Sequence, residues 1–417
     1  MQDANRSRAA RVLFVAVAFA TTAYVASITV APLVGRDLAS SAALSGLPWA
    51  AGILGTGLGS VPLAQFMARF GRGPGLVLGY VTGGIGTVLA VGAIANGQFW
   101  FFVAAVIVMG AGNAAAHLSR YAAADLYPAR ERASALGMLV WAGAIGGVAG
   151  PALLDPSARA SANFALPRLA GPFIVGAIGY AIAIAAIGAL LRRTPSALVP
   201  HDLDAGVSNR SVVDMWRAPR AQIAVVALAV AQMTMVMVMA MTPVHMRDHG
   251  HGLGAVGFVI SLHVFGMYGL SPISGHLAGR FGGIQMVVTG FAVLGAGALV
   301  AAVVPPVAGL WLAVPLFLLG WGWSLTFVAG SALLTHGLTY GDRTRLQGAT
   351  DAVTWAAAGV AGLSSGVLVG SFGYAVLCVI GAGLVIVPVL LITRFRRRLV
   401  FVQSSFDSKS SASELMQ

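Results

Sequence analysis

The sequence predicts an all-α membrane protein: twelve transmembrane helices in two pseudo-symmetric six-helix halves, with the N- and C-termini cytoplasmic. Three observations predict it. The chain is 58% hydrophobic and only 9% charged, with a mean hydropathy of +0.86, where a soluble domain carries about 25% charged residues. Twelve apolar stretches each reach the ~20 residues that a helix needs to cross a hydrocarbon core. The basic residues between those stretches fall on one side, which sets orientation by the positive-inside rule.

The stretches run, in order, at roughly 11–34, 43–66, 73–95, 98–119, 133–154, 169–191, 221–243, 253–278, 284–304, 307–330, 347–369 and 373–393. The first is too long for the apolar region of a signal peptide and lacks a convincing small-residue cleavage site, so it is kept as span 1. Of the 25 Lys and Arg residues, only Arg36, Arg159, Arg168 and Arg247 fall after odd-numbered spans. The net charge of +12 is thereby accounted for by loops facing one membrane surface and requires no nucleic-acid partner. Arg394, Phe395 and Arg396 to Arg398 read as an anchor to that surface. Cys378, the single cysteine, lies in span 12, so no disulfide forms within the chain.

The halves repeat weakly. Ala68-Arg69-Phe70-Gly71 follows span 2 and Gly279-Arg280-Phe281-Gly282 follows span 8; Gly110 and Gly112 correspond to Gly320 and Gly322, and Trp141 to Trp355. This divides the chain into a first half at 1–191, a polar linker at 192–220 with a short helix from Val212 to Trp216, a second half at 221–400 and a disordered Ser-rich tail at 401–417. Two six-span halves with internal symmetry are a transporter plan, with the substrate held at mid-membrane between them.

The chemistry that stands out is a set of sulfur and imidazole groups. Met233 and Met237 lie four apart in span 7, and His263 and Met267 four apart in span 8, so each pair shares one helix face. Counted along their helices, both pairs fall near the bilayer midplane, and antiparallel neighbours would bring them together. Thioether plus imidazole is a soft, uncharged ligand set that selects Cu(I). The competing reading is apolar filling: Met235, Met239 and Met241 share span 7, with 233, 237 and 241 on one face and 235 and 239 on the opposite one. Periodicity does not decide which face lines a cavity. Beyond span 7, Met241, His245, Met246, His249 and His251 form either a metal-collecting vestibule or an exposed polar loop.

Over roughly 11–393 the chain resembles the major facilitator superfamily. Arg69, Gly71 and Arg72, and in the second copy Gly275, Leu277, Ala278, Arg280 and Gly282, match its loop signature, with Ala68 and Gly279 where the signature has an acid. The resemblance therefore implies an ion-pair latch deprived of its usual acid. Gly146, Gly150 and Pro151 resemble the span 5 element common in exporters, or serve close helix packing. The joint Met-x-x-x-Met and His-x-x-x-Met pattern looks like the CcoA-type copper importers. That likeness implies alternating-access import of copper across a bacterial inner membrane, with Met233, Met237, His263 and Met267 as ligands. It implies copper as substrate with no resident cofactor, delivery to cytoplasmic copper chaperones and supply of the cbb3-type cytochrome oxidase. The same branch contains a riboflavin carrier, so the alternative is a small organic substrate, for which Trp49, Trp321 and Trp323 would face the cavity.

His117, Arg120 and Asp125 cluster at the inner end of span 4, and Gln347 and Asp351 at that of span 11. They read either as an inner gate or proton relay or as groups satisfying one another at the membrane edge. No catalytic constellation and no phosphate-binding Gly-Lys-Ser/Thr loop occurs, so the chain is not an enzyme and ATP does not drive it directly.

Overall fold

The computed structural model describes residues 2–39, 44, 47–128, 130–193, 198, 210–251, 253–334 and 338–395. Much of the linker at 192–220, the basic residues 396–398 and the tail at 401–417 lie outside the described residues. The spanning helices are α1 (Gln2–Ala39), α2 (Leu47–Phe70), α3 (Arg72–Ala95), α4 (Phe99–Asp125), α5 (Arg132–Ala152), α6 (Gly171–Arg193) and α7 (Pro219–Asp248). Next comes α8, built of Leu253–Val264, a π-helical turn Phe265–Gly269 and Ser271–Phe281, then α9 (Gly283–Val303) and α10 (Ala313–Leu333), the latter entered through the 3-10 turn Pro306–Leu312. The last apolar helix, Tyr340–Phe395, is 56 residues long and breaks at Gly373, φ 83°, into α11 (340–372) and α12 (374–395). With Tyr340–Phe395 broken in two, the start of α1 and the end of α12 lie on one face, here the terminal face.

The helix limits overrun the apolar stretches at informative places. Hydropathy ends span 4 near residue 119 and starts span 11 near 347, whereas α4 continues to Asp125 and α11 begins at Tyr340. Arg120, Asp125 and Arg343 occupy these extensions and are buried: their charges pair inside the protein, so the helices need not stop where lipid solubility does. Between α5 and α6 a further helix, Leu154–Asn163, replaces the predicted loop. In the linker, Val212–Trp216 is helical as predicted, its first turn capped by the Ser211 hydroxyl, which accepts from the Val213 N–H at 3.3 Å.

Glycine sets the helix spacing. A Cβ on Gly110 would lie 2.2 Å from the Gly52 carbonyl oxygen of α2, and one on Gly112 would lie 2.1 Å from the Gly83 nitrogen of α3. Their repeat counterparts behave alike: Gly320 would meet the His263 carbonyl oxygen of α8 at 2.4 Å, and Gly322 the Leu294 nitrogen of α9 at 2.4 Å. Small residues let backbones touch where lipid offers no hydrophobic drive. Gly146 and Gly150 do the same against Thr21, Thr22, Val25 and Ala26 of α1. The repeated Arg-Phe-Gly ends in Gly71 and Gly282, with φ of 93° and 92°, a left-handed conformation that turns α2 into α3 and α8 into α9 and that a Cβ would strain.

Between these seams, Leu58, Val88, Val148, Leu363 and Leu390 stand exposed as a lipid-facing belt. Trp100 and Trp311, also exposed, lie at the helix ends of the face opposite the termini, where amphipathic rings sit at a membrane–water boundary. Replacing Gly112 with Val should force α3 and α4 apart and cost about 1–3 kcal/mol by overpacking. It should lower the thermal unfolding midpoint in detergent, while Gly92→Ala, which meets nothing within 4 Å, leaves the midpoint unchanged.

Candidate functional site

The first six spanning helices meet the last six along two seams, α2 with α11 and α5 with α8. Both are tightest toward the terminal face. A Cβ on Gly348 of α11 would meet Ala64 of α2 at 2.1 Å, and one on Gly137 of α5 would meet the Ser271 carbonyl oxygen at 2.3 Å. Toward the opposite face the outer part of α8, Leu253–Val264, barely touches α5. The result is a central cavity closed on the terminal side.

A buried ion-pair network makes that closure. Arg72 Nε, at the start of α3, donates to Asp125 Oδ2 at 2.9 Å, and its Nη2 donates to Gln347 Oε1 at 2.6 Å. Arg343 of α11 pairs with the other oxygen of Asp125 at 3.0 Å. Tyr340 donates its hydroxyl to the Met67 carbonyl at 3.4 Å. The latch that lacks an acid in the loop after span 2 thus takes one from the end of α4. Arg120 and Asp125, expected to satisfy each other, serve separate pairs, because helical spacing points them to different neighbours.

The cavity itself has a volume of about 230 Å³, just under the ~300–1,000 Å³ usual for small-molecule sites. Its walls are aromatic: Tyr24, Trp49, Tyr268, Trp323, Phe327 and Trp355. Polar groups gather among them. Arg120 Nη2 binds Asp351 Oδ1 at 2.5 Å and the Tyr121 hydroxyl oxygen at 2.8 Å, its Nε donates to Ser331 at 3.1 Å, and its Nη1 to the His117 carbonyl at 2.7 Å. The guanidinium lies over the Phe327 ring at 4.4 Å. Asp351 Oδ2 is buried without a hydrogen-bond partner. His117 sets its ring edge-on to Trp355 at 4.7 Å. Trp323 Nε1 donates to Gln232 Oε1 at 2.8 Å, which holds the indole in the wall.

The sulfur and imidazole set is divided. Among Met233, Met237, His263 and Met267, only Met267 lines the cavity; Met235, from the opposite face of span 7, lines it as well. Met237 is buried in the core and Met233 packs against it. The expectation that α7 and α8 are neighbours is corrected: α10 packs against both, and the two barely touch each other. His263 is buried beside α10, where its Nδ1 donates to the Leu316 carbonyl at 2.7 Å, and its Nε2 has no partner. The π-helical turn Phe265–Gly269 adds a residue to that stretch of α8, and Met267 and Tyr268 in it reach the cavity. Of the predicted aromatic residues, Trp49 and Trp323 line the wall, whereas Trp321 packs into the core.

In the vestibule, Met246 is buried and Met241 half-buried against the core, so neither presents its sulfur freely to solvent. His245 and His249 approach each other, with ring centroids 4.6 Å apart. Partial burial, with His249 adding in the same direction and Asp248 opposing, holds His245 below the usual imidazole range. His251 Nε2 donates to the Pro306 carbonyl at 2.7 Å. Sequence reasoning passed over Gln232, Met235, Thr354 and Trp355 as wall residues. A polar side chain inside an apolar span was an available signal for Gln232; nothing in the sequence distinguished Met235 from its neighbours.

The family model described as Major Facilitator Superfamily matches residues 12–337. The chain belongs to the major facilitator superfamily. Similar proteins include two described as uncharacterised MFS-type transporters of Bacillus subtilis: YdeG, 31% identical over 89% of this chain and 88% of its own, and YddS, 32% identical over 89% and 87%. The riboflavin transporter RfnT of Brucella anthropi is 29% identical over 83% of this chain and 85% of its own. In fold the chain is similar to the fucose carrier FucP in its outward conformation, with a TM-score of 0.71 and 14% identity over 92% of this chain and 97% of that one. It is also similar to a bacterial homologue of ferroportin in its outward-facing state, with a TM-score of 0.73 and 13% identity over 93% and 99%. This major facilitator is therefore a multi-pass membrane carrier, a secondary transporter and not an enzyme.

Asp125→Asn should leave Arg72 and Arg343 buried without their carboxylate, which costs the sealed state about 3–5 kcal/mol. A cysteine introduced at Thr354 of the cavity wall should then react faster with a polar maleimide added at the terminal face than the same cysteine in the otherwise native chain.

Proposed function

We propose that this chain carries a small planar aromatic compound, of which a flavin is the first probe to try, by rocking its first six spanning helices against its last six around the central cavity. The observation that carries the reading is the wall itself. Six aromatic side chains surround a cavity of about 230 Å³, while Arg120, Gln232 and the unpartnered Asp351 Oδ2 offer a few polar contacts that would fix a ring's orientation. The name of the Brucella relative supports the same substrate class. The one-sided basic loops favour cytoplasmic termini, and the bacterial relatives favour a bacterial inner membrane; on this reading the closed terminal face is the cytoplasmic one and the cavity opens outward.

A second reading, copper import, has one observation in its favour: the buried, unpartnered Nε2 of His263, one helical turn before the cavity-lining Met267. The donor set fits a soft ion in kind, but Met233 and Met237 would have to leave the core to join it. Copper chaperones and supply of cytochrome oxidase belong to that reading alone.

One pair of variants separates the two. Stacking of a base on an aromatic side chain contributes about 1–3 kcal/mol, about 5- to 150-fold in affinity. Trp355→Ala should therefore weaken riboflavin binding, followed by flavin fluorescence quenching on purified protein, by that factor, and His263→Ala should leave it unchanged. Copper accumulation by whole cells that is abolished by His263→Ala and spared by Trp355→Ala would reverse the assignment.

A further inference from the structure

The C-terminal end of α7 carries a pair of histidines that the cavity does not use: His245 in the last turn and His249 in the turn that follows Asp248. The two lie four residues apart, and their rings come together, with centroids 4.6 Å apart. His249 Nδ1 lies 2.8 Å from the His245 carbonyl oxygen. A carbonyl only accepts, so the neutral ring keeps its proton on Nδ1 and its lone pair on Nε2. Metal-ligating histidines are oriented in the same way, by donating the second ring nitrogen to a backbone carbonyl or carboxylate.

The other ring is held as well. His245 stacks on Tyr374 of α12, with centroids 4.3 Å apart and planes 11° from parallel, and the Tyr374 hydroxyl is hydrogen-bonded to Thr242 at 2.8 Å. His249 is exposed and His245 half-buried, so the pair meets solvent. Its neighbours are otherwise engaged: His251 bonds to Pro306 and Met246 is buried.

We propose that His245 and His249 form a bidentate site for a divalent transition metal on the face opposite the termini, separate from the central cavity. Imidazole pairs at this spacing on a helix ligate zinc, and imidazole suits Zn²⁺, Cu²⁺ and Ni²⁺ alike. Among the described residues no group of three or more His, Cys, Asp or Glu side chains is placed to hold a metal. The site therefore supplies two protein ligands, and water completes the shell. Such a site exchanges its ion readily and prefers Cu²⁺ to Zn²⁺ and Ni²⁺. It is independent of what the cavity carries.

The test is titration of untagged, detergent-purified full-length protein with CuSO₄ and with ZnCl₂ by calorimetry, joined to electron paramagnetic resonance of the Cu²⁺ form. One binding event per chain is expected, with two imidazole nitrogens coupled to copper. His249→Ala and His245→Tyr, the latter retaining a ring against Tyr374, should each abolish the event or reduce the coupling to one nitrogen. His251→Ala and His263→Ala should leave it intact. The assignment is overturned if the native protein binds neither ion, if binding survives the double substitution, or if His251→Ala or His263→Ala removes it. An unchanged unfolding midpoint in His249→Ala, at an exposed position, excludes misfolding as the cause of a loss.

Discussion

Charge buried between apolar helices has to find a partner, and in this carrier several of the partners stand on opposite sides of the cavity. Arg72 and Asp125 come from the first six spanning helices and Arg343 and Gln347 from the last six; Arg120 reaches from α4 to Asp351 of α11. An isolated ion in this environment is costly enough to be rare, so closing the terminal face is the arrangement in which these groups are satisfied. A buried ion pair nonetheless contributes little net stability once desolvation is counted. Contacts of that kind specify a closed state without making it permanent, which suits a device that must open toward each membrane face in turn.

The walls follow from two kinds of residue. Glycines at Gly110, Gly112, Gly320 and Gly322 bring α4 and α10 against their neighbours at backbone distance, so these helices stand close to the axis and are largely buried. Aromatic rings then fill the space that the close-packed seams leave near the middle. Trp323, steadied by Gln232, and Tyr268, presented by the π-helical turn of α8, come from the second half; Tyr24 and Trp49 come from the first. Insertions of this kind inside α-helices recur at functional positions, and here the extra residue sets the direction of Met267 and Tyr268.

Much of the bundle was legible before any tertiary contact was known. The run of membrane-length apolar helices, the break near residue 373 and the repeated glycine-ended turns at Gly71 and Gly282 were all signalled by local sequence. The site was legible only in part. Arg120, Asp351 and His117 were marked as buried polar groups, yet their pairing was not: Asp125 and Arg120 are five residues apart and end in different networks. The methionine pattern misdirected most. Five methionines occur between 233 and 241 at alternating positions, and helical periodicity is equally content with either face toward the cavity.

By itself the sequence determined that the chain is a bundle of about twelve membrane-length apolar helices, where it turns, and that a few polar side chains must be accommodated inside, because apolar length, glycine placement and charge bias are properties of single segments. Only the tertiary structure decided that α10 separates α7 from α8, that Met235 and Met267 reach the cavity while Met233 and Met237 do not, and that Asp125 supplies the acid of the latch. Those outcomes depend on the rotation of each helix about its own axis, which is set by packing against neighbours distant in sequence, and a segment whose faces are all apolar carries almost no information about that rotation.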